Sequence, residues 1–370
     1  MISRYLKPQI QKDIEKKMVF LAGPRQCGKT TLSKELPGAQ EGYLNWDIEE
    51  DRERILSRKL PLSPLWIFDE IHKYRLWRNF LKGLYDKTRG SQKILVTGSA
   101  KLDLYRFGGD SLQGRYLFLR MHPLSVKELR LQSQGELEGF LALSGFPEPY
   151  FRGNREEADR WSALYRSRLV REEVPALENV KSIDQIDLLA RSLPARVGAP
   201  LSINNLRENL GVSFRAVQNW LIIFEKLYLI FRLSPFGAPK LKAVKKEQKH
   251  YHFDWNLVLD EGSRFENFIA CHLLKWVHFE EDTKGRGLEL RYYRDELGRE
   301  VDFVVTENLK PILFLEAKRS PQGIHPALRY LRSKFPKVRA IQVCLEDIRS
   351  FKNDEGIEVI GALEFLKELV

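Results

Sequence analysis

The chain has 370 residues, enough for two or three domains, with 43% hydrophobic and 30% charged residues, an ordinary balance for a water-soluble globular protein. It lacks any run of about 18 apolar residues, and the stretch from Met1 to Lys17 is charged and amphipathic without an apolar signal core. A membrane span is therefore excluded, and a cytoplasmic location is expected. The net charge of +11 favours polyanionic partners through counterion release, and Cys27, Cys271 and Cys344 lie far apart without metal-ligand spacing, which suits a reducing compartment.

The apolar Met18-Val19-Phe20-Leu21-Ala22 reads as a buried strand and runs into Gly23-Pro24-Arg25-Gln26-Cys27-Gly28-Lys29-Thr30, a complete G-x-x-x-x-G-K-T sequence, followed by a helix from Thr31. The glycines allow a sharp turn that aims backbone N–H groups at phosphates. Lys29 can reach the β- and γ-phosphates, and the Thr30 hydroxyl can hold Mg²⁺. Residues Gly23 to Thr31 are thus the expected contact for ATP. Cys27 fits as a small residue in this loop or as an oxidant-sensitive one.

Leu65-Trp66-Ile67-Phe68 is a second apolar strand, ending in Asp69 and Glu70. Asp69 is expected beside the strand that leads to Lys29, holding Mg²⁺ often through water, while Glu70 polarises the attacking water. A third strand, Lys93 to Thr97, ends in hydroxyls. Thr97 or Ser99 can hydrogen-bond the γ-phosphate or the water, and either can equally cap a helix. Strands alternating with helices over the first 120 or so residues indicate a parallel α/β sheet.

After Asp110-Ser111-Leu112-Gln113-Gly114-Arg115-Tyr116 comes a strand at 117–120. Taken together, GPRQCGKTTL (23–32), IFDEIHK (67–73), ILVTGSA (94–100), SLQGRY (111–116), HPLSVKEL (122–129) and GFPEPYF (145–151) resemble the bacterial and archaeal AAA+ ATPases that carry a C-terminal domain of unknown function. The resemblance implies an AAA+ P-loop core at 1–121 and a helical lid at 122–198. It also implies a homo-oligomer in which Arg115 acts as a finger on a neighbouring subunit's nucleotide. From the residues alone, Arg115 is a guanidinium available for transition-state charge. Helical patterns at 124–131, 137–143, 155–170 and 183–193 fill the lid, and Arg168, Arg171 and Arg191 are equivalent candidates for a second sensor.

Residues 199–254 have the layout of a winged helix-turn-helix. Ser202 caps a helix over 203–210, Gly211 stops it, and Ser213 caps a longer helix; strands at 228–233 and 250–253 form the wing. Between the strands runs the basic Pro239–Lys249 segment. In one reading Arg215, Gln218 and Asn219 face the major groove while the lysines hold phosphates; in the other, the wing docks domains and the lysines are solvated.

Residues 255–370 contain a second acidic constellation. Gly298 to Val305 and Ile312 to Lys318 alternate as strands do, and a turn near Asn308 and Pro311 pairs Asp302 with Glu316. The two carboxylates can share a divalent cation, Mg²⁺ or Mn²⁺, with Lys318 orienting water and Glu266, on a helix over 263–276, as a fourth group. The D…E-x-K order is similar to the PD-(D/E)xK nuclease core, which implies metal-dependent phosphodiester hydrolysis by Asp302, Glu316 and Lys318; Val301 stands where that pattern has proline. A salt-bridged remnant, with Lys318 pairing Asp302 or Glu316, is the other arrangement these residues permit. The expected protein is an AAA+ ATPase acting on nucleic acid with a nuclease-like C-terminal domain. The alternative is a nucleotide-gated adaptor whose C-terminal half binds protein partners.

Overall fold

The computed structural model describes residues 2–88, 91–98, 112–177, 182–237, 248–321 and 323–370. Ser99, Asp110, Ser111 and the basic residues Lys240, Lys242, Lys245 and Lys246 lie outside the described residues. The chain forms two compact units, Met1–Pro123 and Leu124–Val370.

The first unit is built on β1 (Met18–Ala22), β2 (Tyr43–Asn45), β3 (Leu65–Asp69), β4 (Lys93–Thr97) and β5 (Tyr116–Arg120), all parallel, in the order β2-β3-β4-β1-β5. All five residues of β1 are buried, as in a parallel sheet covered on both faces. The helix Trp77–Thr88 presents Trp77, Phe80, Leu81 and Leu84 to the core, an i, i+3, i+4, i+7 stripe. Phe80 meets Phe68 edge-on at 5.7 Å between ring centres. Truncating the fully buried Phe68 to alanine would cost about 3–5 kcal/mol.

The strand order corrects one expectation. The Asp69 strand does not lie beside the Lys29 strand, because β4 sits between them. Thr97 is the register partner of both Asp69 and Leu21. The functional strand ends therefore meet where the chain order reverses, at the carboxyl edge of the sheet.

The second unit opens with helices Val126–Leu129, Gln134–Leu143, Pro147–Arg152 and Arg155–Arg168, the last continuing into a wider π turn at Leu169–Glu173. Ser133 and Glu136 form a capping box. Ile183–Ser192 follows, and its buried Asp187 pairs with both Arg171 and Arg191, two of the three arginines considered as sensors.

Helices Ile203–Leu210 and Phe214–Lys226 are capped by the Ser202 and Ser213 side chains and separated by left-handed Gly211. They lead into an antiparallel pair, β6 (Ile230–Leu233) and β7 (Lys249–His252).

The helix Glu261–Lys284, capped by Asp260 and ended by Gly285, is longer at both ends than the sequence pattern indicates. Beyond it a six-stranded sheet has the order β12-β13-β11-β10-β9-β8, from β8 (Leu288–Arg294), β9 (Glu300–Glu307), β10 (Lys310–Lys318), β11 (Arg339–Cys344), β12 (Phe351–Lys352) and β13 (Glu358–Gly361). Strands β8 to β10 form an antiparallel meander, and β11 joins β10 in parallel after the crossover helix Pro326–Lys334. Asn308 and Leu309 both have positive φ, 49° and 69°, the geometry of a tight two-residue hairpin turn. Leu315 pairs with Phe303, so Asp302 and Glu316 come one step further along the same register. No helix among the described residues is long and apolar enough to cross a membrane.

Candidate nucleotide site and a carboxylate cluster

The loop between β1 and the helix Lys29–Lys34 is built on close backbone approach. Gly23 lies so near the Met121 carbonyl that a Cβ there would sit 2.2 Å from its oxygen, so no other residue fits without moving the chain. Buried Arg4 braces the loop from the amino-terminal segment, donating to the carbonyls of Cys27 at 2.5 Å and His122 at 2.6 Å. Nothing in the sequence around Arg4 signals this role. Gln26 holds a positive φ of 60°, a sparsely populated conformation of the kind found at ligand-binding turns. The Lys29 ammonium folds back onto the loop, donating to the carbonyls of Gly23 at 3.0 Å and Pro24 at 2.6 Å. Thr31 is exposed on the first turn of the helix.

Asp69 is the hub of the site. Its Oδ2 accepts from Thr30 Oγ1 at 2.8 Å and from the Tyr43 hydroxyl at 2.6 Å, and its Oδ1 accepts from Thr97 Oγ1 at 2.6 Å. Thr97, read as either a phosphate- or water-facing hydroxyl or a helix cap, donates its hydroxyl to Asp69. Tyr43 is a member of the site that sequence reasoning missed, since a lone tyrosine at the edge of a short strand carries no motif. Burial beside Asp69 pushes its phenol well above the usual range.

Glu70 follows in a left-handed conformation, φ 57°, with its N–H bonded to the Thr97 carbonyl at 3.0 Å. Its Oε2 lies 3.5 Å from His72 Nε2 and 3.6 Å from Lys73 Nζ. Burial raises its carboxyl above the ordinary value, opposed chiefly by Lys73 and Lys29. A hydroxyl, a carboxylate and an ammonium converging on one loop suit a magnesium triphosphate: Thr30 and Asp69 would hold the ion, which would neutralise phosphate charge. Arg115 makes a bidentate pair with Asp86 of the same unit, Nε to Oδ1 at 2.9 Å and Nη2 to Oδ2 at 3.3 Å.

In the second unit, Asp302, Glu316, Glu266 and Lys318 do come together, but not as an open metal site. Asp302 Oδ2 accepts from the Ala317 N–H at 3.0 Å, and Glu316 Oε2 accepts from the Asp302 N–H at 3.2 Å. Glu316 Oε1 pairs with Lys318 Nζ at 2.6 Å. The remaining oxygen, Asp302 Oδ1, lies 3.5 Å from Lys249 Nζ, which also reaches Glu300 Oε1 at 2.7 Å and Glu266 Oε1 at 3.3 Å. Tyr251 adds a hydroxyl to Glu266 Oε1 at 2.7 Å. Burial and the Asp302 charge raise the carboxyls of both Glu266 and Glu316.

All four oxygens of Asp302 and Glu316 thus have partners. No group of three or more His, Cys, Asp or Glu side chains among the described residues is arranged to hold a metal. As the side chains lie, Lys249 and Lys318 fill the space among Glu266, Asp302 and Glu316, the residues read as metal ligands, and leave no open position there for Mg²⁺ or Mn²⁺. Lys249, the last residue of the basic segment read as either holding phosphates or solvated, is fully buried on β7.

Residues 15–130 match the family model described as AAA domain. The fold, the phosphate loop and this match agree on an AAA-type P-loop domain at the amino end. Residues 134–259 and 261–365 match two models, each described as a domain of unknown function. Among relatives, an uncharacterised protein of Mycobacterium tuberculosis is 25% identical over 84% of this chain and 73% of its own length. One from Haemophilus influenzae is 22% identical over 99% of this chain and 98% of its own. Similar solved structures include Thermotoga maritima RuvB, at 17% identity, 62% of this chain, 90% of that chain and a TM-score of 0.30. Another is the Aeropyrum pernix Orc1 protein in complex with DNA, at 14% identity, 73% of this chain, 93% of that chain and a TM-score of 0.33.

Proposed function

We propose that the protein is a Mg²⁺-dependent ATP hydrolase of the AAA type whose carboxy-terminal half engages nucleic acid. The observation that carries the hydrolase reading is the convergence of Thr30, Asp69 and Glu70 on the loop that holds Lys29. In this reading Lys29 binds the phosphates, Thr30 and Asp69 hold the ion, and Glu70 takes a proton from the attacking water. Phosphoryl transfer needs mainly such positioning and charge neutralisation. Arg115 would serve a neighbouring subunit's nucleotide only after leaving Asp86, an exchange that costs little at an exposed pair.

Nucleic-acid engagement rests on the capped pair of helices, on Arg215 and Asn219 exposed near the start of the second one, and on the net charge of +11. The saturated carboxylate cluster favours a second reading for the remainder of the chain. In that reading the last domain is a binding module for a protein partner, gated by nucleotide, with no hydrolysis of its own. Turnover of ATP measured with and without duplex and single-stranded DNA or RNA separates the two: stimulation supports action on nucleic acid, whereas indifference to every polynucleotide supports the adaptor.

A further inference from the structure

The antiparallel strand β7 delivers two side chains to the acidic cluster. Lys249 and Tyr251 are two residues apart and so share a face, as do Glu300 and Asp302 on β9. Backbone pairing of Lys249 with Leu233, and a bridge from Lys249 to Pro200, fix the strand from both sides. The Lys249 ammonium is then enclosed by Glu266, Glu300 and Asp302 and lies 5.6 Å from the centre of the Tyr292 ring. Gly198 completes the enclosure: a Cβ there would sit 2.6 Å from Glu266 Oε2, so the carboxylate is packed against bare backbone. A buried ammonium is tolerated only with such counter-charges, and buried carboxylates only with such a cation.

We infer that Lys249 is the resident cation of this cluster, occupying the electrostatic place of a divalent metal and tying β7 to β9 and to the helix Glu261–Lys284. The cluster is an ion-locked joint of the carboxy-terminal unit. Removing the ammonium would leave Glu266 Oε1, Glu300 Oε1 and Asp302 Oδ1, now 3.3, 2.7 and 3.5 Å from Lys249 Nζ, as hard-oxygen donors that have only to draw inward to take Mn²⁺ or Mg²⁺. A lysine contributed by another part of the chain thus separates this site from a metal-dependent centre. The inference concerns the second unit alone and is independent of the nucleotide reading.

The test is Mn²⁺ binding to the full chain without nucleotide, followed by the paramagnetic signal of the free ion. Wild type and Asp302→Asn should give superimposable titrations up to about millimolar Mn²⁺, the range of weak protein sites for hard divalent cations. Lys249→Met should gain one Mn²⁺ per chain, lose it again in the Lys249→Met/Asp302→Asn double variant, and melt at a higher temperature with Mn²⁺ than without. A wild-type site for Mn²⁺ that disappears in Asp302→Asn overturns the inference, and this comparison stands even if the Lys249 variant does not fold. A folded Lys249→Met chain that takes up no Mn²⁺ overturns it equally.

Discussion

Thr30 Oγ1 donates to Asp69 Oδ2 at 2.8 Å, joining the helix after the phosphate loop to the end of a strand two positions away in the sheet. The same oxygen accepts from Tyr43, and the other accepts from Thr97. Asp69 is therefore held in one orientation by three hydroxyls from three elements, a supporting shell of the kind that fixes the ligands of a catalytic metal.

Tyr43→Phe removes one of those hydroxyls and leaves the ring. A single such bond is worth about 0.5–1.5 kcal/mol, so ATP should still bind while turnover falls by up to about tenfold. Titrating turnover against Mg²⁺ should show a raised Mg²⁺ requirement for this variant and no change in the pH profile.

Glu70→Gln keeps the shape of the side chain and removes its ability to take a proton. Nucleotide binding should be retained, while the rate of phosphate release falls by about 10²-fold or more. A phosphate-release assay beside a binding isotherm separates the two effects.

Three histidines of the second unit are buried and neutral. Burial drives His250 down to about 4 and His272 down to about 3, and it places His252 well below its ordinary value. The His272 ring has a defined tautomer, donating from Nδ1 to the Phe268 carbonyl and accepting the Val126 N–H at Nε2. The unfolded chain binds protons at these rings below about pH 6.5, whereas the folded chain does not until far lower pH. Their contribution to stability is therefore fully present above about pH 6.5 and is lost as pH falls toward 4 and below, each ring adding up to about 1.4 kcal/mol per pH unit. Denaturant unfolding at pH 7.5 and 5.5 should show the loss, and His272→Gln should reduce its slope.

Arg215→Ala should weaken DNA or RNA binding if the second helix of the pair lies against nucleic acid. A phosphate contact would lower the salt slope by about 1 with no change in sequence preference; a base contact would instead relax preference at one position. Binding isotherms at graded salt distinguish the two.

Much of the nucleotide site was legible in the sequence, because its chemistry lies in contiguous motifs placed at strand ends. The loop from Gly23 to Thr30 and the Asp69-Glu70 pair each follow an apolar run that could only be a strand. The insertion of β4 between β1 and β3 was not legible, since strand order is set by long-range packing that short apolar runs do not encode. Tyr43 and Arg4 were missed for the same reason: each meets its partner across more than 20 residues of chain. In the second unit, period-two alternation and the turn at Asn308 gave the pairing of Asp302 with Glu316. Lys249 ends a run of lysines that carries no sign of burial, and only the register of β7 turns its side chain inward.

The most direct measurement is calorimetric titration of the folded full chain with Mg²⁺ and ATP, comparing wild type, Glu70→Gln and Lys29→Ala. Wild type and Glu70→Gln should bind one nucleotide per chain, and Lys29→Ala should bind none. Absence of binding by wild type, or equal binding by Lys29→Ala, would contradict the assignment of the amino-terminal loop as a nucleotide site.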